Sequence, residues 1–212
     1  MEISVASVLA SIALIQFLGW MTPGANLVAV SSASMAQGRT MGVATAAGIA
    51  VGVGLWAALA VFGIAFVFEA TPWLFIGLKL AGAAFLCWLG YKSVRAALDG
   101  RTTNLKGDGG PGEILGAFQR GFLVLMTNPK APIFFGAVLT SFLPFGAPAW
   151  VMTAIVVEFL ILGFILNSFT ALVFSTRRVM DWFDRNQKTI GIAVGALYAA
   201  LGLLVIWDAV RG

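Results

Sequence analysis

The chain has 212 residues, 60% of them hydrophobic and 10% charged, with a formal net charge of +4. A soluble globular domain is roughly one quarter charged, so this composition excludes one and indicates an integral membrane protein. The absence of histidine and the single cysteine, Cys87, exclude imidazole metal ligation, a histidine proton relay and an intramolecular disulfide.

Six apolar segments are each long enough to cross ~30 Å of hydrocarbon. The first, 4–34, carries Thr22-Pro23-Gly24-Ala25-Asn26 in its interior. Glu2 precedes it with no Lys or Arg and no small-residue cleavage site follows, so it is expected to stay in the mature protein rather than act as a signal peptide. The second, 42–68, has Gly48 and Gly52 four apart on one face, a spacing that lets a neighbouring helix come close. Gly77, Gly82 and Gly90 in the third segment, 73–98, and Gly191, Gly195 and Gly202 in the sixth, 189–210, are expected to do the same. Between the third and fourth, the polar stretch 99–113 reads as a hinge joining a first half, 1–98, to a second, 114–212. The fourth segment, 114–143, holds Thr127-Asn128-Pro129-Lys130-Ala131, and the fifth, 149–175, holds Glu158.

Proline inside a helix removes a backbone hydrogen bond and clashes with the carbonyl four residues back, and in a bilayer no water repairs the loss. The two proline-bearing segments are also the longest, 31 and 30 residues. Straight, each would reach ~45 Å, more than the hydrocarbon core, so a bend or a re-entry at the proline is expected. Interrupted segments at corresponding places in two halves point to an inverted-repeat transporter with its substrate site at the breaks. The expected fold is therefore all-α, six transmembrane helices arranged as two inverted three-helix repeats with broken first and fourth helices.

The positive charges follow membrane topology rather than a nucleic-acid patch. Arg39, Lys92, Arg95, Arg101, Lys106, Arg120, Arg177, Arg178, Arg185 and Lys188 fall on one side and only Arg211 on the other. That bias places the first, third and fifth connections in the cytoplasm and both termini outside.

Lys79, Lys130 and Glu158 lie well inside apolar segments, where a charge costs upward of ~3 kcal/mol and so marks function. Lys79 and Glu158 come out ~10–14 Å deep from the same face and could pair, with Glu158 then the one deep carboxylate available to carry a proton. Lys130 is deeper and directly follows Pro129. Asn26 and Asn128 can cap freed backbone groups or bind a ligand, and helix N-termini at the breaks suit a carboxylate. The candidate substrate-binding set is Pro23, Gly24, Asn26, Asn128, Pro129 and Lys130, with Glu158 and Lys79 as a coupling or ion pair.

At these residues the chain resembles the lysine exporter (LysE/RhtB) family. Thr22-Pro23-Gly24-Ala25-Asn26 is similar to its Pro-Gly-Pro-Asn motif, with Ala25 in place of the second proline. Asn128-Pro129-Lys130-Ala131 with Phe134-Phe135 is similar to its Asn-Pro-Lys-Ala motif, and Leu78 to Lys92 to its third-span signature. The resemblance implies a multi-pass protein of the bacterial inner membrane that exports small amino acids or close derivatives, driven by proton antiport. The partners implied are an amino acid, protons and lipid, with a homodimer as the default assembly and neither cofactor nor metal. A divalent-cation exporter of the same superfamily is the alternative, although one deep carboxylate and some amides make a poor cation site. No nucleophile with a base stands out, so the chain does not read as an enzyme. A cationic substrate would call for Glu158 opposite its side chain; a Glu158 already paired with Lys79 fits a neutral amino acid better.

Overall fold

The computed structural model describes residues 5–22, 24–70, 72–100, 113–128, 130–144 and 146–211, without the side chains of 64–70, 72–76, 78–79, 177, 180, 184 and 210–211. Pro23, Pro129, the Lys79 side chain and most of the 99–113 hinge lie outside the described residues.

Among the described residues all regular structure is helical: α1 Val5–Met21, α2 Ala25–Gln37, α3 Arg39–Ala70, α4 Pro72–Leu98, α5 Ile114–Met126, α6 Lys130–Phe142, α7 Ala149–Val173 and α8 Arg177–Arg211. Each unbroken apolar segment forms one helix, and each proline-bearing segment forms two. The bend is 62° between α1 and α2 and 65° between α5 and α6. At 1.5 Å per residue α1 rises ~25 Å, and α2, turned by that angle, adds only ~9 Å more along the same direction. The excess length is thus taken up by the bend. Arg39–Gly63, Ala149–Val173 and Arg185–Ala209 are each long and apolar enough to cross a membrane, and the bent pairs, counted as one span each, bring the number to five.

Two helices begin earlier than their apolar segments. α8 starts at Arg177 rather than near residue 189, so the charged stretch 177–188 is a helical extension and not a loop. Hydropathy marks where a helix meets hydrocarbon, not where its hydrogen bonds begin. α3 likewise starts at Arg39, whose Nε donates to Ser175 Oγ at 3.0 Å, while Arg120 Nη2 donates to Gln37 Oε1 at 3.0 Å. These contacts tie two arginines, one at the start of α3 and one within α5, to the ends of α7 and α2.

The core is a stripe from each inner helix: Val8, Ile12 and Ile15 on α1; Ala46, Ile49, Val53, Ala57 and Val61 on α3; Ile155 and Phe159 on α7; Tyr198 on α8. Outside it, Leu55, Leu59, Ile161, Ile165, Leu203 and Leu204 are exposed, as befits helices facing lipid tails. The most extensive packing is of α4 on α8, of α3 on α7 and of α3 on α5. At the α4–α8 crossing a methyl group on Gly195 would meet the Gly90 carbonyl oxygen at 2.7 Å, and one on Gly90 would meet the Gly195 carbonyl. Further along, Ser93 Oγ donates to the Gly191 carbonyl at 2.9 Å and Gly202 lies against Ala83, so α4 and α8 run antiparallel. Gly48 abuts the Phe118 carbonyl and Gly52 the Leu125 side chain, as their spacing foretold. Gly77 departs from that expectation: among the described residues nothing lies within 4 Å of where its side chain would be.

Candidate functional site

Both breaks open onto one cavity of about 130 Å³. Thr22, Gly24 and Asn26 line it from the first break, and Asn128, Lys130 and Ala131 from the second. The two threonines before the prolines turn their hydroxyls back on their own helices, Thr22 Oγ1 to the Leu18 carbonyl at 2.9 Å and Thr127 Oγ1 to the Leu123 carbonyl at 2.7 Å. Each thus ends its helix in the same way.

The helices that restart after the breaks differ in how they are capped. Asn128 Oδ1 accepts the Lys130 N–H at 3.0 Å and the Asn128 carbonyl accepts Ala131 N–H at 2.9 Å, an Asx-type turn that satisfies the first turn of α6. No side chain caps α2, which starts from extended Gly24, and among the described residues nothing accepts the N–H groups of Ala25 or Asn26. The α2 N-terminus therefore presents unpaired donors and its positive dipole end beside the cavity. Asn26 sits inside that first turn, where its side chain cannot act as the cap; its Oδ1 is buried with no hydrogen-bond partner among the described residues.

Lys130 is half-buried, and among the described residues no carboxylate or hydrogen-bond acceptor engages its ammonium. Among the described residues the cavity lining contains no carboxylate. Lys130, left without a partner among the described residues, and the helix N-terminus together suit an anion. Aromatic rings also line it: Phe135 lies edge-on to Phe159 with centroids 5.2 Å apart, and Phe134 stands perpendicular to Phe135 at 5.5 Å.

The family described as LysE type translocator matches residues 17–209. The chain belongs to the LysE family of translocators. It is 28% identical over 200 residues to the threonine efflux protein of Escherichia coli K12, covering 92% of this chain and 96% of that one. It is 28% identical over 193 residues to the homoserine/homoserine lactone efflux protein of Salmonella typhimurium, covering 87% and 89%. An uncharacterized membrane protein of Pseudomonas aeruginosa is 32% identical over 192 residues, covering 85% and 86%. No solved structure gives a significant match. A translocator moves its cargo unchanged, so this LysE-type protein is a multi-pass membrane transporter and not an enzyme.

Residues the motifs did not single out complete the translocator's cavity. Gln16 and Trp20, one turn apart on α1, line it and brace α1 on α7: Gln16 Nε2 donates to the Phe159 carbonyl and Trp20 Nε1 to Thr170 Oγ1, both at 2.8 Å. Asn167 lines it from α7, its Nδ2 donating to the Gly163 carbonyl at 2.8 Å. Helical spacing held a signal for Gln16. Seven residues before Pro23 is two turns of helix, which puts Gln16, the one amide between residue 4 and the proline, on the face of the break. Glu158 neighbours Phe159 but is not part of the lining; it is half-buried, with Oε2 buried and unpartnered among the described residues. Its pairing with Lys79 falls outside the described residues. Among the described residues no three His, Cys, Asp or Glu side chains come together, so nothing favours the metal-export alternative.

Proposed function

We propose that this translocator exports a small neutral amino acid, of the threonine or homoserine kind, across the bacterial inner membrane. The observation that carries the reading is the cavity shared by both breaks, whose walls, among the described residues, hold an unpartnered lysine and no carboxylate. The carboxylate of the amino acid is held by Lys130 and the uncapped N-terminus of α2, a combination of point charge and oriented N–H groups that suits an anion. Gly24 and the backbone around Pro23 and Pro129 let the substrate approach the chain, and Asn128 holds the turn that presents Lys130. A cavity of about 150 Å³ takes a benzene-sized molecule, so this slightly smaller space fits a compact amino acid. The relatives named for threonine and homoserine efflux agree with that class.

The transport cycle is proposed to use six spans in two inverted repeats. The antiparallel packing of α4 on α8 supports this, as does the contact of Gly54 on α3 with Leu160 on α7. Gly90 and Gly195, and likewise Thr22 and Thr127, are one repeat length apart. Equivalent residues that touch each other across antiparallel helices lie near a two-fold axis in the membrane plane. Rocking one half on the other would expose the cavity to either side.

Glu158 is the proposed proton carrier. One proton entering down ~100 mV releases ~2.3 kcal/mol, enough for a roughly fifty-fold gradient of a neutral substrate. Efflux from cells loaded in turn with labelled threonine, homoserine, alanine and lysine tests the function. Rapid release of a neutral amino acid and none of lysine is expected; release of lysine alone would contradict the assignment. In the same cells Glu158→Gln should abolish the response to an imposed pH step while downhill exchange persists.

A further inference from the structure

We propose that Gln16, together with Asn26, binds the ammonium group of the substrate through an unpaired amide oxygen, an inference that rests on the amino-acid reading above. Gln16 is 8% exposed, sits two turns ahead of the first break and lines the cavity. Its Nε2 donates to the Phe159 carbonyl, which fixes the amide's orientation, since the reverse setting would bring two oxygens together. The other half of the amide is left unpaired: Oε1 is buried and has no hydrogen-bond partner among the described residues, and the same holds for Asn26 Oδ1. Buried polar atoms are seldom left unpaired, and those that are call for an explanation such as an absent ligand.

An ammonium group supplies three N–H donors and no acceptor, the complement of two open carbonyl oxygens. That the oxygens are neutral has a consequence for selectivity. A carboxylate placed in this cavity would pair with Lys130 and cancel the anion site, whereas amides leave Lys130 free for the substrate's own carboxylate. The two poles then match a net-neutral amino acid, and a second ammonium on the substrate's side chain finds no counter-charge in the lining.

The test is counterflow of labelled threonine into proteoliposomes carrying the full chain. Gln16→Met keeps the length and bulk of the side chain and removes the acceptor. Because a hydrogen bond to a charged group contributes about tenfold to a hundredfold in affinity, KM for threonine should rise tenfold or more, with a smaller effect on the maximal rate. Inhibition by 3-hydroxybutyrate separates this role from that of a residue that only braces α1 against α7: lacking the ammonium, it should inhibit the Met variant with the same affinity as the wild type, whereas a lost brace would weaken it alongside threonine. A Met variant with wild-type KM, or one that loses both ligands equally, overturns the assignment. Should Gln16→Met fail to accumulate, competition at the wild-type protein decides: 3-hydroxybutyrate, threonine without its amino group, should compete at least tenfold less well, and equal competition overturns it. Wild-type vesicles that exchange no neutral amino acid overturn the functional reading along with it.

Discussion

Asn26 and Asn128 flank the two prolines from opposite sides, and that difference of position decides what each does. Asn128 comes before its proline, at the place from which a side chain reaches forward to the first N–H groups of α6. Asn26 comes three residues after its proline, already in the first turn of α2, and keeps an open amide oxygen. Replacing a capping asparagine with alanine costs about 1 kcal/mol, so Asn128→Ala should lower the melting temperature of the detergent-solubilised protein while Asn128→Asp restores most of it. Asn26→Ala removes no cap and, among the described residues, no hydrogen bond to the amide oxygen. It should leave the melting temperature nearly unchanged and reduce threonine exchange, and comparing the two readouts separates the roles. Either amide could have been taken as cap or ligand from sequence alone; the order Asn-Pro against Pro-Gly-Ala-Asn held the answer.

At the scale of helices, the breaks were legible because proline states its own consequence in an apolar run, and the bend followed from 31 residues being too many for one straight crossing. The extension of α8 back to Arg177 was not legible, because charged residues outside the bilayer carry no hydropathy signal even when they are helical. Glycines gave a mixed result. Gly90 and Gly195 touch backbone to backbone, whereas Gly77, on the same helix as Gly90, has no neighbour within 4 Å among the described residues. Spacing shows which glycines share a face; only the crossing shows which face is covered. Gly90→Leu or Gly195→Leu should therefore force α4 from α8, at a cost of about 1–3 kcal/mol or more, and reduce the folded yield. Gly77→Leu should be tolerated. Equal loss in all three variants, measured by thermal unfolding in detergent, would deny the tight α4–α8 crossing.

For the whole molecule, the charge asymmetry and the packing agree on which ends lie together. Arg39 reaches Ser175 at the end of α7, and the Gly191 carbonyl, near the start of the α8 span, receives a hydrogen bond from Ser93 in the last turns of α4. One side thus holds the starts of α3 and α8 and the ends of α4 and α7, the side that the charge bias assigns to the cytoplasm. In a Cys87→Ala background, Asn186→Cys should be shielded from a membrane-impermeant thiol reagent in intact cells, whereas Ala149→Cys, exposed at the start of α7, should react. Residue 147 in the same connection is a poorer probe, being only 7% exposed. The reverse labelling pattern would invert the molecule and with it the direction of transport.

The central claim is that the two breaks form one amino-acid site whose anion-binding charge is Lys130. Its most direct test is the release of preloaded labelled threonine from proteoliposomes containing the wild-type protein or Lys130→Met, which keeps most of the stem and deletes the charge. The wild type is expected to empty the vesicles and the variant, inserted in equal amount, to release threonine no faster than protein-free vesicles. A Lys130→Met protein that exports threonine at near the wild-type rate would contradict the account.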